Sequence, residues 1–187
     1  KDISILASYW KSFLPETLFI CPDAPEVCKV SSLGFQWFDL MDQTDDEILS
    51  KSLIAENKLN KFIDEIKEEF GLDAKNIALV GFSQGCMISL QTALKRKDKI
   101  KCVIGYSGKI INPNHLIKNI ESRPDIFLMH GDKDEVVPLD FLLQAKEFFS
   151  KAEYKISTKI FANCEHRIPT EGLSIGLEFI KKNLYNI

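Results

Sequence analysis

Short apolar runs alternate with longer amphipathic segments along this chain. The runs are four to six residues long, which suits a strand and is too short for a free-standing helix. Because they are apolar throughout, they indicate strands buried on both faces, as in a parallel sheet. The predicted strands cover residues 18–21, 77–80, 102–106, 126–129 and 156–161.

The segments between the runs place apolar residues at helical spacing. In residues 47–70 these residues form one stripe, and Gly71 follows as a stop signal. Helices that alternate with strands imply right-handed crossovers, so we expect an α/β fold with helices on both sheet faces. The other predicted helices cover residues 2–13, 84–95, 139–151 and 170–184.

Residues 22–46 break this alternation and have no sustained period. A connection of this length in a compact domain is usually disordered or a binding loop with short structure of its own. Its aromatic residues, Phe35, Trp37 and Phe38, argue against disorder. We therefore interpret the segment as a binding loop.

Composition restricts the class of protein further. The 187 residues carry 24 Lys and Arg against 27 Asp and Glu and are 45% hydrophobic, which is typical of a single globular domain over residues 1–187. The balanced charge disfavours nucleic acid as a partner.

Cysteine content and hydropathy indicate where in the cell the protein is located. The five cysteines are odd in number and form no C-x-x-C pair, which indicates reduced thiols. No run reaches the roughly 18 to 20 apolar residues of a membrane span, and the N-terminus does not resemble a signal peptide. We therefore expect a cytoplasmic protein without a stable membrane anchor. No two Cys or His residues have metal-ligand spacing, so a metal site is not expected.

The strongest chemical motif is the Gly-x-Ser-x-Gly pattern of Gly81, Ser83 and Gly85. It follows a predicted strand and precedes a predicted helix, so the chain must turn tightly there, and glycines on both sides relieve crowding. Such a turn exposes the serine hydroxyl beside a helix N-terminus, which favours developing negative charge. Ser83 is the candidate nucleophile.

A serine nucleophile needs a base, and the chain has three histidines. We interpret His115 as a solvated loop residue and His130 as a structural residue that shapes the next turn. His166 follows the last strand, at the sheet edge where ligands bind in open parallel sheets. His166 is therefore the candidate base.

The orienting acid is expected in the Asp-Lys-Asp-Glu segment at residues 132–135, which follows another strand. The spacing does not choose between Asp132 and Asp134. Either residue gives the order Ser, Asp, His of the α/β-hydrolase fold, with all three groups on loops after parallel strands.

The chain resembles the phospholipase/carboxylesterase family of α/β-hydrolases, which includes the acyl-protein thioesterases. The matching motifs are Gly-Phe-Ser-Gln-Gly at 81–85, His-Gly-Asp-Lys-Asp at 130–134 with Val-Val-Pro at 136–138, Cys-Glu-His-Arg-Ile at 164–168, Cys-Pro-Asp-Ala-Pro at 21–25, and Trp-Phe-Asp at 37–39. The resemblance implies a cofactor-free serine hydrolase in which Asp134 is the acid, Asp132 shapes the turn and the Gln84 N–H contributes to the oxyanion hole.

One part of the family's pattern, its N-terminal strand and oxyanion loop, is not found in this chain. Family members begin with a strand and a His-Gly-x-Gly type loop that supplies a second oxyanion donor, and this chain starts with Lys1 after that point. We therefore expect an α/β-hydrolase domain that lacks its N-terminal strand and is part of a longer protein. A catalytically impaired hydrolase that acts as a binding module is the alternative.

The substrate is left open by the sequence. Leu33, Phe35, Trp37 and Phe38 are candidates to line an apolar acyl groove, and equally to form a lid packed on the core. The resemblance allows small carboxylic esters, lysophospholipids or S-acylated proteins as substrates, and another serine hydrolase activity, such as a peptidase or lactonase, remains an alternative. The apolar rim of the loop is also a candidate homodimer surface.

Overall fold

The computed structural model describes residues 2–28, 34–41 and 43–185. The helices and strands, in chain order, are α1 (Asp2–Trp10), β1 (Glu26–Val27), β2 (Phe35–Gln36), α2 (Asp45–Phe70), β3 (Ala78–Phe82), α3 (Gln84–Lys95), β4 (Cys102–Tyr106), α4 (Pro113–Leu116), β5 (Asp125–Gly131), α5 (Asp140–Lys151), β6 (Ser157–Phe161) and α6 (Thr170–Ile180). Short 3₁₀ turns cover Ala74–Asn76 and Ile117–Asn119, and a π-helical turn, Lys181–Tyr185, follows α6.

Strands β3, β4, β5 and β6 form a parallel sheet in that order. Successive residues of β4 point to opposite faces, so Val103 packs with α2, α3 and α5, whereas Ile104 packs with α1 and α6. Both side chains are fully buried. Helices therefore cover both sheet faces, as the sequence predicts for an α/β-hydrolase fold.

The boundaries of α2 follow from local chemistry. Thr44 accepts a hydrogen bond from the Glu47 N–H, and Glu47 accepts one from the Thr44 N–H, which is a capping box. Gly71 ends the helix in the left-handed conformation with φ of 62°. The helix begins two residues before the predicted start and ends at the predicted residue.

The prediction of a strand at residues 18–21 is wrong. These residues form no ladder with any strand in the described part of the chain, and Leu18 and Ile20 are exposed. An apolar run becomes a strand only where a neighbouring strand takes up its backbone hydrogen bonds. Helix α1 is also shorter than predicted and ends at Trp10, and helix α4 was not predicted.

The long connection has short structure of its own, as expected. Strands β1 and β2 form an antiparallel hairpin in which Glu26 faces Gln36 and Val27 faces Phe35. Leu33, one of the predicted substrate-binding residues, lies outside the described residues.

The topology places four loops at one edge of the sheet. Ser83 follows β3, Ser107 follows β4, Asp134 lies in the loop after β5, and His166 lies in the loop after β6. Because the carboxyl ends of parallel strands share an edge, these residues are brought to the same side of the molecule. None of the described helices combines the length and apolar character needed to cross a membrane.

Candidate active site

Ser83 occupies a strained turn between β3 and α3. Its φ of 52° and ψ of −118° lie outside the regions that side-chain-bearing residues prefer. Its N–H donates to the Tyr106 carbonyl at 2.8 Å, which ties the turn to β4. Although Ser83 is at the N-cap position, its hydroxyl does not cap the helix. The hydroxyl is therefore not used for capping, and Ser83 is half-buried at the sheet edge.

The glycine before the serine is required by a close backbone approach. A Cβ atom on Gly81 would collide with the backbone of Gly85 and Cys86, where α3 begins. A Cβ on Gly85 itself would meet no described atom within 4 Å. The crowding that the motif predicts on both sides is therefore found only at Gly81.

Asp134 is a buried carboxylate with several donors. Its Oδ1 accepts hydrogen bonds from the N–H groups of Val136 at 3.0 Å and Val137 at 2.8 Å. Burial raises the pKa of this carboxyl, but hydrogen bonds from Val137, His166 and the Ser107 hydroxyl outweigh burial and hold the pKa below its ordinary value. The carboxylate is therefore ionised at neutral pH.

The His166 ring contacts both Asp134 and the neighbourhood of Ser83. Its Nδ1 lies 2.8 Å from Asp134 Oδ2, and its side chain is 18% exposed. Because the carboxylate is ionised, Nδ1 carries the proton and donates, which leaves Nε2 as the acceptor of the neutral ring. The ring also packs on Phe82, the residue before Ser83, with centroids 4.7 Å apart.

Backbone contacts join the acid loop to the histidine loop. A Cβ on Gly131 would collide with the carbonyl of Cys164, so only glycine permits this approach. The N–H of Lys133 donates to the same carbonyl at 3.0 Å, and Asp132 Oδ1 accepts from the Cys164 N–H at 3.3 Å. Asp132 therefore connects the two loops, whereas Asp134 contacts the imidazole.

The other two histidines make different contacts, although His130 Nε2 also lies 3.5 Å from Asp134 Oδ2. His130 is buried, and its Nε2–H donates to the Val137 carbonyl at 2.7 Å, which closes the loop around Asp134 as its structural interpretation predicts. His115 lies in α4, and its Nε2 is enclosed without a hydrogen-bond partner among the described residues. The prediction of a solvated side chain is wrong for that atom.

The candidate substrate-binding residues differ in exposure. Phe38 is fully buried in the core with α2 and α3, so its ring packs as a lid anchor and faces no groove. Trp37 is half-buried, and Phe35 is 55% exposed on β2. The burial of Phe38 fits the lid interpretation, and the acyl groove stays a prediction for Trp37 and Phe35.

Three residues of the site were not found from the sequence in the roles that they have here. Ser107, buried with φ of 49°, helps to lower the pKa of Asp134, and the Phe82 ring packs on His166. The side chain of Gln84 accepts from the Trp37 N–H at 2.7 Å and donates to the Phe38 carbonyl at 2.6 Å. The position of Ser107 directly after a strand was the one available signal.

Within residues 2–28, 34–41 and 43–185, no three His, Cys, Asp or Glu side chains are grouped so that they could hold a metal ion. The buried thiols are poor ligands as they stand, because burial raises the pKa of Cys86 and Cys102 to about 12.

The parallel sheet, the strained serine turn and the loops after β5 and β6 define an α/β-hydrolase. The chain belongs to the phospholipase/carboxylesterase family, whose family model matches residues 3–184.

Individual relatives agree with this membership. Acyl-protein thioesterase 1 of Saccharomyces cerevisiae is 30% identical over 182 residues, which cover 90% of this chain and 78% of the relative. Acyl-protein thioesterase 1 of Aspergillus fumigatus is 30% identical over 201 residues, covering 97% and 83%. The crystal structure of esterase PE8 superposes with a TM-score of 0.90 at 32% identity, covering 96% of this chain and 85% of that chain. These relationships support a hydrolase.

Proposed function

We propose that this chain is a serine hydrolase that cleaves carboxylic esters through an acyl-enzyme. Ser83 is the nucleophile, His166 the base, Asp134 the orienting acid, and the N–H of Gln84 an oxyanion donor. The main support is the 2.8 Å contact between Asp134 and His166, on a ring that packs against the residue before Ser83.

The reaction follows from the protonation of His166 and the charge of Asp134. His166 Nε2 takes the Ser83 proton as Oγ attacks the acyl carbonyl, and the buried Asp134 carboxylate stabilises the imidazolium that forms. The tetrahedral oxyanion develops beside the N-terminus of α3, where the first N–H groups have no acceptor within the helix. The imidazolium gives its proton to the leaving alcohol or thiol. Water then attacks the acyl-enzyme with the same base and releases the acid.

The acyl group of the substrate is proposed to lie against the hairpin. Trp37 and Phe35 are its candidate apolar contacts, because both keep exposed surface and the Trp37 N–H is bonded to the Gln84 side chain next to Ser83, whereas Phe38 is buried. Relatives named acyl-protein thioesterase 1 favour S-acylated proteins as one substrate class. Small esters and lysophospholipids belong to the same acyl-transfer chemistry.

An activity-based probe tests the nucleophile. A fluorophosphonate should label the protein in a pH 8 buffer, and digestion followed by mass spectrometry should place the adduct on Ser83. The matched control is Ser89→Ala, a buried serine of α3 outside the turn, which should label like the wild type. Ser83→Ala should not label.

The alternatives give different outcomes. A binding module would label no faster than Ser83→Ala. A peptidase or lactonase would label but would prefer peptide amides or lactones over p-nitrophenyl esters and thioesters in a substrate panel. Each of these results would contradict the proposed ester hydrolysis.

A further inference from the structure

Gln84 makes contacts through its side chain that the proposed chemistry does not require. Its backbone begins α3 beside Ser83, and its amide reaches the backbone of the long connection. The carbonyl oxygen of the amide accepts from Trp37, and the nitrogen donates to Phe38. One side chain thus replaces the pair of hydrogen bonds that a neighbouring strand would make.

The two strands of the hairpin contribute little to holding this segment in place. Each of its strands is two residues long, and an isolated hairpin of that size is at best marginally stable in water. Its paired side chains, Val27 and Phe35, are 67% and 55% exposed, so they contribute little burial. The segment is anchored on its other side by the fully buried ring of Phe38.

We propose that the side chain of Gln84 is a positioning residue that docks the Trp37–Phe38 backbone on the nucleophile turn and thereby sets the selectivity for long acyl groups. The selectivity part of this inference rests on the proposed function, whereas the docking part does not. Phe38 supplies the apolar anchor, and the Gln84 amide fixes the direction in which Trp37 leaves the core. The Trp37 ring is partly buried against the core, and its position relative to the serine turn then depends on the Gln84 amide.

The amide is suited to this role because both of its ends are needed. A donor and an acceptor must meet the N–H of Trp37 and the carbonyl of Phe38 at the same time. Methionine has nearly the same length and offers neither strong donor nor acceptor. Gln84→Met therefore removes the two hydrogen bonds while the backbone N–H of residue 84 is retained.

Hydrogen exchange measures the docking directly and needs no turnover. In Gln84→Met, the peptide that contains residues 34–41 should exchange at least about fivefold faster than in the wild type, since each hydrogen bond contributes about 1 kcal/mol. A peptide from α5 in the same sample should exchange at the wild-type rate and serves as the internal reference. Gln84→Ala provides a second variant if Gln84→Met does not fold.

Gln43→Met is the matched control. Gln43 lies in the same connection and is also hydrogen-bonded, to the Met41 carbonyl at 2.9 Å and from Lys51 at 2.7 Å, but it does not contact the serine turn. Its substitution should leave the exchange of Trp37 unchanged. Unchanged exchange of residues 34–41 in both Gln84 variants would overturn the docking role.

Kinetics test the consequence for selectivity. The ratio of kcat/KM for p-nitrophenyl octanoate to that for p-nitrophenyl acetate should fall about fivefold or more in Gln84→Met, mainly through the KM of the octanoate. Faster exchange with an unchanged ratio would refute the selectivity role. A wild-type protein that hydrolyses neither ester would refute the proposed function, while the exchange experiment would still decide the docking role.

Discussion

At the residue scale, the carboxylate of Asp134 joins the loops after β5 and β6. It accepts hydrogen bonds from the backbone of its own loop and from His166 after β6, and Ser107 after β4 also helps to lower its pKa. A buried carboxylate is stable as an ion only when donors surround it in this way. The orientation of His166 and the charge of Asp134 are therefore mutually dependent.

This dependence gives a prediction for Asp134→Asn. The amide cannot stabilise an imidazolium and favours the wrong tautomer of His166, so kcat for a p-nitrophenyl ester should fall roughly 10³- to 10⁴-fold with a small change in KM. Steady-state kinetics measure both constants. The control is Asp132→Asn, in which the amide oxygen can still accept from the Cys164 N–H, and kcat should stay within about tenfold of the wild type. Equal losses in the two variants would contradict the role of Asp134.

The sequence predicts the residues of the site unevenly. Ser83 is predicted as the nucleophile from its motif, because a strand, a tight turn and a helix must meet there. The choice of Asp134 over Asp132 came from the family resemblance, since both carboxylates lie at the same strand end. Only the fold of residues 132–138 shows which of the two meets His166. The docking of Trp37 on Gln84 joins residues 47 positions apart, which no local pattern reveals.

At the element scale, α3 packs closely on β4 because glycine and cysteine are complementary there. A Cβ on Gly105 would collide with the sulfur of Cys86, and Leu128 lies 2.9 Å from the same position. All three residues belong to the contact between the serine-bearing helix and the sheet. The size of Cys86 is therefore tolerated only while residue 105 has no side chain.

We expect Gly105→Ala to lower the free energy of unfolding by about 1 to 3 kcal/mol through overpacking. Cys86→Ala removes the sulfur, so the double variant should recover part of this loss. Urea unfolding of the four proteins in a double-mutant cycle measures the coupling between the two positions. Strictly additive effects would show that the two positions do not compete for the same space.

The strands of the parallel sheet and the longer helices were predicted well, and the errors lie in the segments outside that alternation. Helix α3 has the predicted bounds and α5 differs by one residue, because their apolar faces repeat over several turns. Residues 18–21 carry the same apolar signal as the true strands but have no described pairing partner. The β1–β2 hairpin is shorter than any periodic signal, and its position depends on Phe38 and Gln84.

At the scale of the whole molecule, a polar contact ties α2 to the turn that follows α3. Asp98 accepts hydrogen bonds from Arg96 at 2.8 and 2.7 Å and also binds Lys67 of α2. Arg96 in turn contacts Asp64 of α2 at 2.6 Å. The contact fixes the end of α2 that is remote from the hairpin, so both ends of this long helix are held.

This contact predicts how stability depends on pH. Burial tends to raise the pKa of the Asp98 carboxyl, but hydrogen bonds from Arg96 and Lys67 outweigh it and keep the pKa below its ordinary value. A carboxyl with a lowered folded-state pKa stabilises the fold fully above its unfolded pKa of about 3.9, and this stabilisation is lost as the pH falls through the folded value. The loss of the stabilisation that Asp98 provides should therefore begin as the pH falls below about 4 to 5.

Urea unfolding of the wild type and Asp98→Asn between pH 7 and pH 3 checks this expectation. The wild type should be more stable at pH 7, and the difference should shrink as the pH falls because the protonated carboxyl no longer pairs with Arg96 and Lys67. Asp73→Asn is the control, since its pair with Lys75 is largely exposed and should contribute little at any pH. A difference for Asp98→Asn that stays constant with pH would mean that the charge of this carboxylate does not hold α2 in place.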